Sequence, residues 1–205
     1  MNYISQVFTP TSLEHAKNIC LTPDQSDPDK FINETNFFIN FVKENYINSN
    51  SCVADFGCGM GRVSKQLIEQ IGCDVVGFDI SYPMLLTAKN YINNDKFDHI
   101  KYDKHVKTFN KKFDVVISIL VLQHSEHPQE DLIFIKNILK PDGIFILVNE
   151  TKRFIPIDIE NKHVVWYDDG IDIEKLTSDH FIPLSKNKYY NRKDNCLTIY
   201  KNKLQ

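Results

Sequence analysis

Glycine is scarce in this chain, seven residues in 205, and three of the seven crowd into positions 57, 59 and 61. No apolar run approaches the roughly 18 residues of a membrane-crossing helix. The opening residues, Met1 to Gln6, lack the basic region and apolar core of a secretory signal. The expectation is a cytoplasmic protein with no membrane partner. The five cysteines are odd in number and show no C-x-x-C spacing. That argues against a disulfide framework and a zinc site, and no metal is expected. Cys52, Cys58 and Cys73 fall in or beside predicted core strands, where a thiol acts as a small apolar side chain. Basic charge is not in excess: the formal net charge is -3, against bulk nucleic-acid or anionic-membrane binding. The one basic cluster, Lys186, Lys188, Arg192 and Lys193, has Asp194 beside it and reads as a solvated hairpin, so no nucleic-acid partner is favoured.

What is present is an alternation of strands and helices. A length of 205 residues supports one sizeable domain. Leu13 to Leu21 fits a short helix. Asp27-Pro28 offers an N-cap and a first-turn proline for a helix running to about Tyr46. Phe31, Phe38, Val42 and Tyr46 form its apolar stripe, widened by Phe37 and Phe41; this reads as core packing or as a lid over a pocket. Cys52–Phe56 is a buried strand, followed by a helix with Val63, Leu67, Ile68 and Ile71 on one face, capped at Gly72. Cys73–Phe78 is a second strand, and Ser81 caps the next helix. Further strands are expected at His99–Tyr102, Phe113–Ile119 and Ile144–Val148. A helix is expected over Pro128–Leu139, ended by a turn at Lys140–Gly143. Strands alternating with helices predict an α/β fold, a doubly wound and mostly parallel Rossmann-like sheet with helices on both faces. Phe181–Tyr190 and Cys196–Lys201 are separated by too few residues for a helical crossover, so the last strand is antiparallel.

The glycine turn carries the chemistry. A strand, a glycine turn and a helix let a ligand approach the backbone closely. The dinucleotide pattern G-x-G-x-x-G fails here, because Arg62 stands where its third glycine belongs. The pattern present is Asp55-Phe-Gly-Cys-Gly-Met-Gly61. Asp79 ends the second strand, where a carboxylate can accept from two adjacent ribose hydroxyls.

Four motifs in order, Asp55–Gly61, Gly77–Ser81, Phe113–His124 and Leu139–Val148, resemble those of the class I S-adenosylmethionine-dependent methyltransferases, in the small-molecule group of type 11/12-like domains. The resemblance covers roughly residues 50–150. It implies S-adenosylmethionine as cofactor and S-adenosylhomocysteine as product. It places Gly57, Gly59 and Gly61 under the cofactor, Asp55 toward its amino-acid end, Asp79 and Ile80 at the ribose, and Asp103 at the adenine amino group. Ser118 and Ile119 fall where the family's fourth strand meets the amino-acid end. Arg62 either pairs with the cofactor's carboxylate or is a solvated first-turn arginine, the latter preferred. The implied organisation is a single domain over 1–205: an N-terminal helical cap over 1–49, a cofactor core over 50–150, and a substrate-side segment with the terminal hairpin over 151–205.

A proton acceptor is needed only if the nucleophile arrives protonated. The candidates are His124, at the end of an apolar run, and Glu150, at the end of the fifth strand; His127 reads as a helix cap. Segment 151–178, with Trp166-Tyr167, either lines a substrate pocket or forms a satellite core. The expected activity is methyl transfer to O or N of a small molecule. The alternative is a non-catalytic S-adenosylmethionine-binding module or a partner-dependent subunit. The sequence leaves the acceptor and the oligomeric state open.

Overall fold

The computed structural model describes residues 2–21, 25–103, 109–150, 152–160, 163–191 and 195–203. In chain order its elements begin with β1 (Asn2–Tyr3), α1 (Leu13–Cys20), α2 (Lys30–Asn45), β2 (Cys52–Phe56), α3 (Arg62–Ile71) and β3 (Asp74–Asp79). Next come α4 (Tyr82–Ile92), β4 (Phe97–Lys101), β5 (Phe113–Ile119), α5 (Pro128–Ile138) and β6 (Leu139–Glu150). The chain ends with β7 (Ile155–Ile159), β8 (His163–Tyr167), α6 (Ile173–His180), β9 (Phe181–Lys188) and β10 (Asn195–Asn202). Two compact units result: Phe8–Val106, and Met1–Val7 with Lys107–Gln205.

The first unit holds β2, β3 and β4, paired in parallel with Asp55 opposite Gly77 and Gly77 opposite His99. β2 and β3 are short apolar runs whose Val53, Ala54, Val75, Val76 and Phe78 are buried, as parallel strands covered on both faces require; β4, at the sheet edge, is more polar and partly exposed. Both ends of α3 sit on left-handed glycines, Gly61 and Gly72. Gly72 donates to the carbonyls of Leu67 and Ile68, closing the helix as expected. Ser81 accepts from Met84 N and caps α4, also as expected. The start of α2 departs from the sequence reading. Asp27 uses its carbonyl on Lys30 N and its carboxylate on Asn33. Residues 27–30 thereby make a turn, and Asp29 takes the N-cap position instead. The stripe on α2 is narrower than expected: Phe38, Ile39 and Val42 are buried, while Phe37 is exposed.

The second unit holds β5 and β6 in parallel, with β10 antiparallel to β6 and β9 antiparallel to β10. The seven strands β2–β6, β9 and β10 make the mostly parallel, Rossmann-like sheet with its antiparallel terminal hairpin. The expected turn at Lys140–Gly143 lies inside β6. Phe113 pairs Leu139, then Val115 pairs Ile144, so four residues bulge out. Asp142 there has φ 63°. The described residues of segment 151–178 form more than a link. β7 and β8 form a hairpin that β1 joins antiparallel, a separate three-stranded sheet that the sequence reading did not foresee. In the basic cluster, Lys186 pairs with Glu174 and Lys188 is exposed; Arg192, Lys193 and Asp194 lie outside the described residues.

Two glycines test this packing. Gly61 has φ +80°, and a Cβ there would stand 2.6 Å from Ile92 Cδ1. Gly170 has φ +74° with nothing within 4 Å. Gly170→Ala should cost only backbone strain, about 1–2 kcal/mol. Gly61→Ala adds overpacking of about 1–3 kcal/mol. Urea denaturation should show the larger loss at Gly61.

Candidate functional site

In the first unit the glycine loop is strapped to the end of β3. The N–H groups of Gly57 and Cys58 both donate to Phe78 O, at 2.7 and 3.0 Å. Gly59 N donates to Asp79 Oδ2 at 2.9 Å, and Ser81 N to Asp79 Oδ1 at 2.8 Å. Asp79 O accepts from Tyr102 N, which places Asp103, exposed, just beyond. Tyr102 packs its ring edge-on against Phe56 at 4.9 Å. Ile80 is exposed beside Asp79. Asp55 is buried under the loop, with Ser64 Oγ donating to its Oδ2 at 2.6 Å. Asp55, Gly57, Gly59, Gly61 and Asp79 are thus brought together by β2, β3 and the first turn of α3.

Burial dominates the electrostatics of this loop. It pushes Asp55 up to about 6 against the opposing pull of Ser64 and Arg62. It pushes Asp79 to about 6 against the hydrogen bonds from Ser81 and Gly59. Gly57, Gly59 and Gly61 all have positive φ, so no Cβ fits comfortably on the loop. Each Asp79 oxygen has two lone pairs and uses one on a backbone N–H, leaving acceptor capacity for two ligand hydroxyls. These residues fit a ribose-bearing cofactor.

Two features here escaped the sequence reading. Cys20, at the end of α1, occupies the space beside Gly59: a Cβ on Gly59 would lie 2.5 Å from its Sγ. Met60 N donates to that sulfur at 3.4 Å, and burial raises the thiol to about 11. Ala16, Met60 and Met84 form the core of this contact. Arg62 is the second, and it corrects an expectation. It is not solvated. Its Nη1 donates to Thr35 Oγ1 at 2.6 Å, its Nη2 lies 3.7 Å from the fully buried Glu34, and its guanidinium sits over Phe31. An acidic residue one turn after the first aromatic of the stripe, Phe31, gave no local sign of that pairing.

In the second unit Ser118 is fully buried at the end of β5, and its hydroxyl has no hydrogen-bond partner. Ile119 ends the strand, and Leu120 follows with φ +59°. His124 closes a 3-10 turn, Leu122–His124. Its Nδ1 is 2.6 Å from Phe154 O, its Nε2 is 3.3 Å from Gln123 Nε2, and its ring meets Trp166 edge-on at 5.3 Å. Burial, then the charge of Arg153, lowers its pKa, while the Phe154 carbonyl opposes; the imidazole is neutral at pH 7. Glu150 ends β6, and its backbone N–H donates to Gln123 Oε1 at 2.8 Å. His124 and Glu150 are therefore joined through Gln123. His127 is the residue capping α5, though its side chain makes no cap bond.

The carboxyls give a pH signature. Both folded-state values lie above the ordinary 3.8, so the folded chain binds these protons more tightly than the unfolded one. Their stabilisation is full below about pH 4 and is lost as pH rises through 6. The loss is on the order of 2–3 kcal/mol per carboxyl. Thermal melts of the ligand-free protein should fall over this window, and Asp55→Asn with Asp79→Asn should flatten the fall.

Comparison with known proteins shows what this arrangement resembles. A family model described as a methyltransferase domain matches residues 54–147. A ubiquinone biosynthesis O-methyltransferase of Glaesserella parasuis serovar 5 (strain SH0165) is 26% identical over 179 residues, covering 70% of this chain and 75% of that protein. One of Rickettsia bellii (strain OSU 85-389) is 32% identical over 123 residues, 58% of this chain and 51% of that protein. The chain thus spans about half of the Rickettsia relative. Among solved structures, a TehB-like SAM-dependent methyltransferase from Corynebacterium glutamicum ATCC 13032 Kitasato superposes with TM-score 0.63 at 16% identity, over 94% of this chain and all of that one. The family match lies on the glycine loop and the strands around it, and over residues 54–147 the chain is similar to the S-adenosylmethionine-dependent methyltransferases.

Proposed function

We propose that the chain transfers a methyl group from S-adenosylmethionine to an oxygen of a small-molecule acceptor. The carrying observation is the Asp79 carboxylate, buried and aimed by Gly59 N and Ser81 N, with lone pairs left for adjacent hydroxyls. Asp55, Gly57, Gly59, Gly61, Ile80 and Asp103 are assigned to the cofactor with it, as are Ser118 and Ile119. All 205 residues serve one methyltransferase domain, with 1–49 as its helical cap, 50–150 as its cofactor core and 151–205 on the substrate side. No helix of the described residues is long and apolar enough to cross a membrane, and the cytoplasm is the proposed location.

S-adenosylmethionine supplies a methyl on a sulfonium sulfur, whose thioether leaves without assistance. What the protein contributes is positioning and exclusion of water. A hydroxyl acceptor arrives protonated, so it needs a proton acceptor. His124, neutral at pH 7, is assigned that role; Glu150 is the second candidate. Oxygen is preferred to nitrogen because the relatives described above are O-methyltransferases. Trp166, about half exposed and set edge-on to His124, offers a flat apolar face for an aromatic acceptor.

Asp79→Ala should weaken S-adenosylmethionine binding by roughly 10–150-fold, the worth of hydrogen bonds to a charged group. Unchanged affinity by calorimetry would overturn the assignment. With 3,4-dihydroxybenzoate as probe acceptor, His124→Gln should lower kcat by about 10²–10⁴ while leaving cofactor affinity within twofold. Cofactor binding without S-adenosylhomocysteine formation from any of a panel of phenols, catechols and amines would favour the non-catalytic module instead.

A further inference from the structure

Five consecutive N–H groups run through the glycine loop, Gly57 to Gly61, and four of them are held by oxygen. Gly57 N and Cys58 N donate to Phe78 O, Gly59 N to Asp79 Oδ2, and Gly61 N to Cys58 O, all at 2.7–3.0 Å. The fifth, Met60 N, donates to the Cys20 sulfur at 3.4 Å. A thiol sulfur is a weak acceptor, and burial keeps this one neutral, with the thiol raised to about 11. The same sulfur lies over Gly59, 2.5 Å from where a Cβ on that residue would stand. One atom thus covers both the face of Gly59 and the most weakly held N–H of the loop. It belongs to a lightly anchored element. α1 has eight residues, of which Ala16 alone is buried, packed with Met60 and Met84. Leu13, Glu14, His15 and Asn18 are exposed. An eight-residue helix is marginal by itself, and elements with few buried apolar contacts are those that open locally. The loop beneath is fixed to β3 through Phe78 and Asp79, so of the two it is α1 that yields.

We propose that α1 is a displaceable strap over the glycine loop. In the ligand-free chain Cys20 keeps the place over Gly59 and the Met60 N–H; S-adenosylmethionine takes both from it on binding and releases Cys20. On the cofactor reading above, on which this rests, Gly59 lies under the ligand. A ligand atom and the Cys20 sulfur then claim one space, because a single carbon added to Gly59 already collides with the sulfur. Release is favoured by the exchange of acceptors. An oxygen of the ligand receives an N–H at about 2.9–3.0 Å and is a stronger partner than a thiol. The absence of a side chain at position 59 thus serves two occupants in turn, first the thiol and then the cofactor.

Alkylation of the full chain by N-ethylmaleimide, resolved by peptide mass spectrometry with and without saturating S-adenosylhomocysteine, reads the strap directly, with calorimetry to establish occupancy. Bound ligand slows any labelling that passes through global unfolding, so the buried Cys73 should react more slowly. Cys20 should react faster, by about tenfold or more, and amide exchange should rise over residues 13–20. Cys20→Ala removes the resident acceptor while keeping a good helix former. It should bind S-adenosylhomocysteine roughly 2–12-fold more tightly, the worth of one net hydrogen bond. Binding with Cys20 labelled no faster than before, with α1 more protected, or with Cys20→Ala weaker than wild type would overturn the strap and leave the cofactor reading standing. No binding to the wild type at any concentration would overturn the cofactor reading, and the strap with it.

Discussion

One backbone bond organises the first unit: Gly59 N to the carboxylate of Asp79. A loop of alternating glycines has little reason of its own to hold a single shape. Here its three leading N–H groups are all spent on the end of β3, two on Phe78 O and one on Asp79. The loop's conformation is therefore set by the parallel pairing of β2 with β3, which puts Phe56 opposite Phe78. The same bond orients the Asp79 carboxylate, the group proposed to meet the cofactor. Loop shape and the aim of that carboxylate are one constraint, so neither can be altered alone.

That arrangement is expensive electrostatically. Asp55 and Asp79 are both buried close to the loop, and burial drives both carboxyls upward. Ser64 and the Arg62 guanidinium offset part of the cost at Asp55. Arg62 in turn is held by Thr35 and Glu34 on α2. The helix that reads as an apolar cap thus also carries the polar groups that keep the first turn of α3 in place. Cys20 closes the other side of Gly59, so α1 and α2 both bear on the loop.

The second unit has a comparable fixed point in Arg153. It is almost wholly buried, and its fork meets Asp169 while reaching back to the turn at Leu122–Ser125. This ties the stretch after β8 to the turn that carries Gln123 and His124. The hairpin of β7 and β8, joined by β1, is the scaffold for that clamp and brings Trp166 to His124.

Local patterns in the sequence determined the strand–glycine–helix unit, the cap at Ser81, the left-handed stop at Gly72 and the antiparallel end of the chain. Each depends on residues within a few positions of one another, where backbone sterics and short connections leave few choices. Asp55 and the three glycines were legible for the same reason, because a motif with a fixed backbone role appears as contiguous residues, and Asp79 was legible because it ends the next apolar run. The three-stranded sheet was not legible. Pro156 sits inside β7 and argues locally against a strand, and β1 is two residues long, too short to carry a pattern. Pairings between distant positions had no sequence signal either: Glu34 with Arg62, Cys20 with Gly59, Arg153 with Asp169, and Gln123 with Glu150. These are decided by which elements pack together, and only the tertiary structure supplies that. The sequence by itself determined the fold class and the glycine loop with its facing carboxylate; the tertiary structure decided which polar groups hold those residues, and His124, in place.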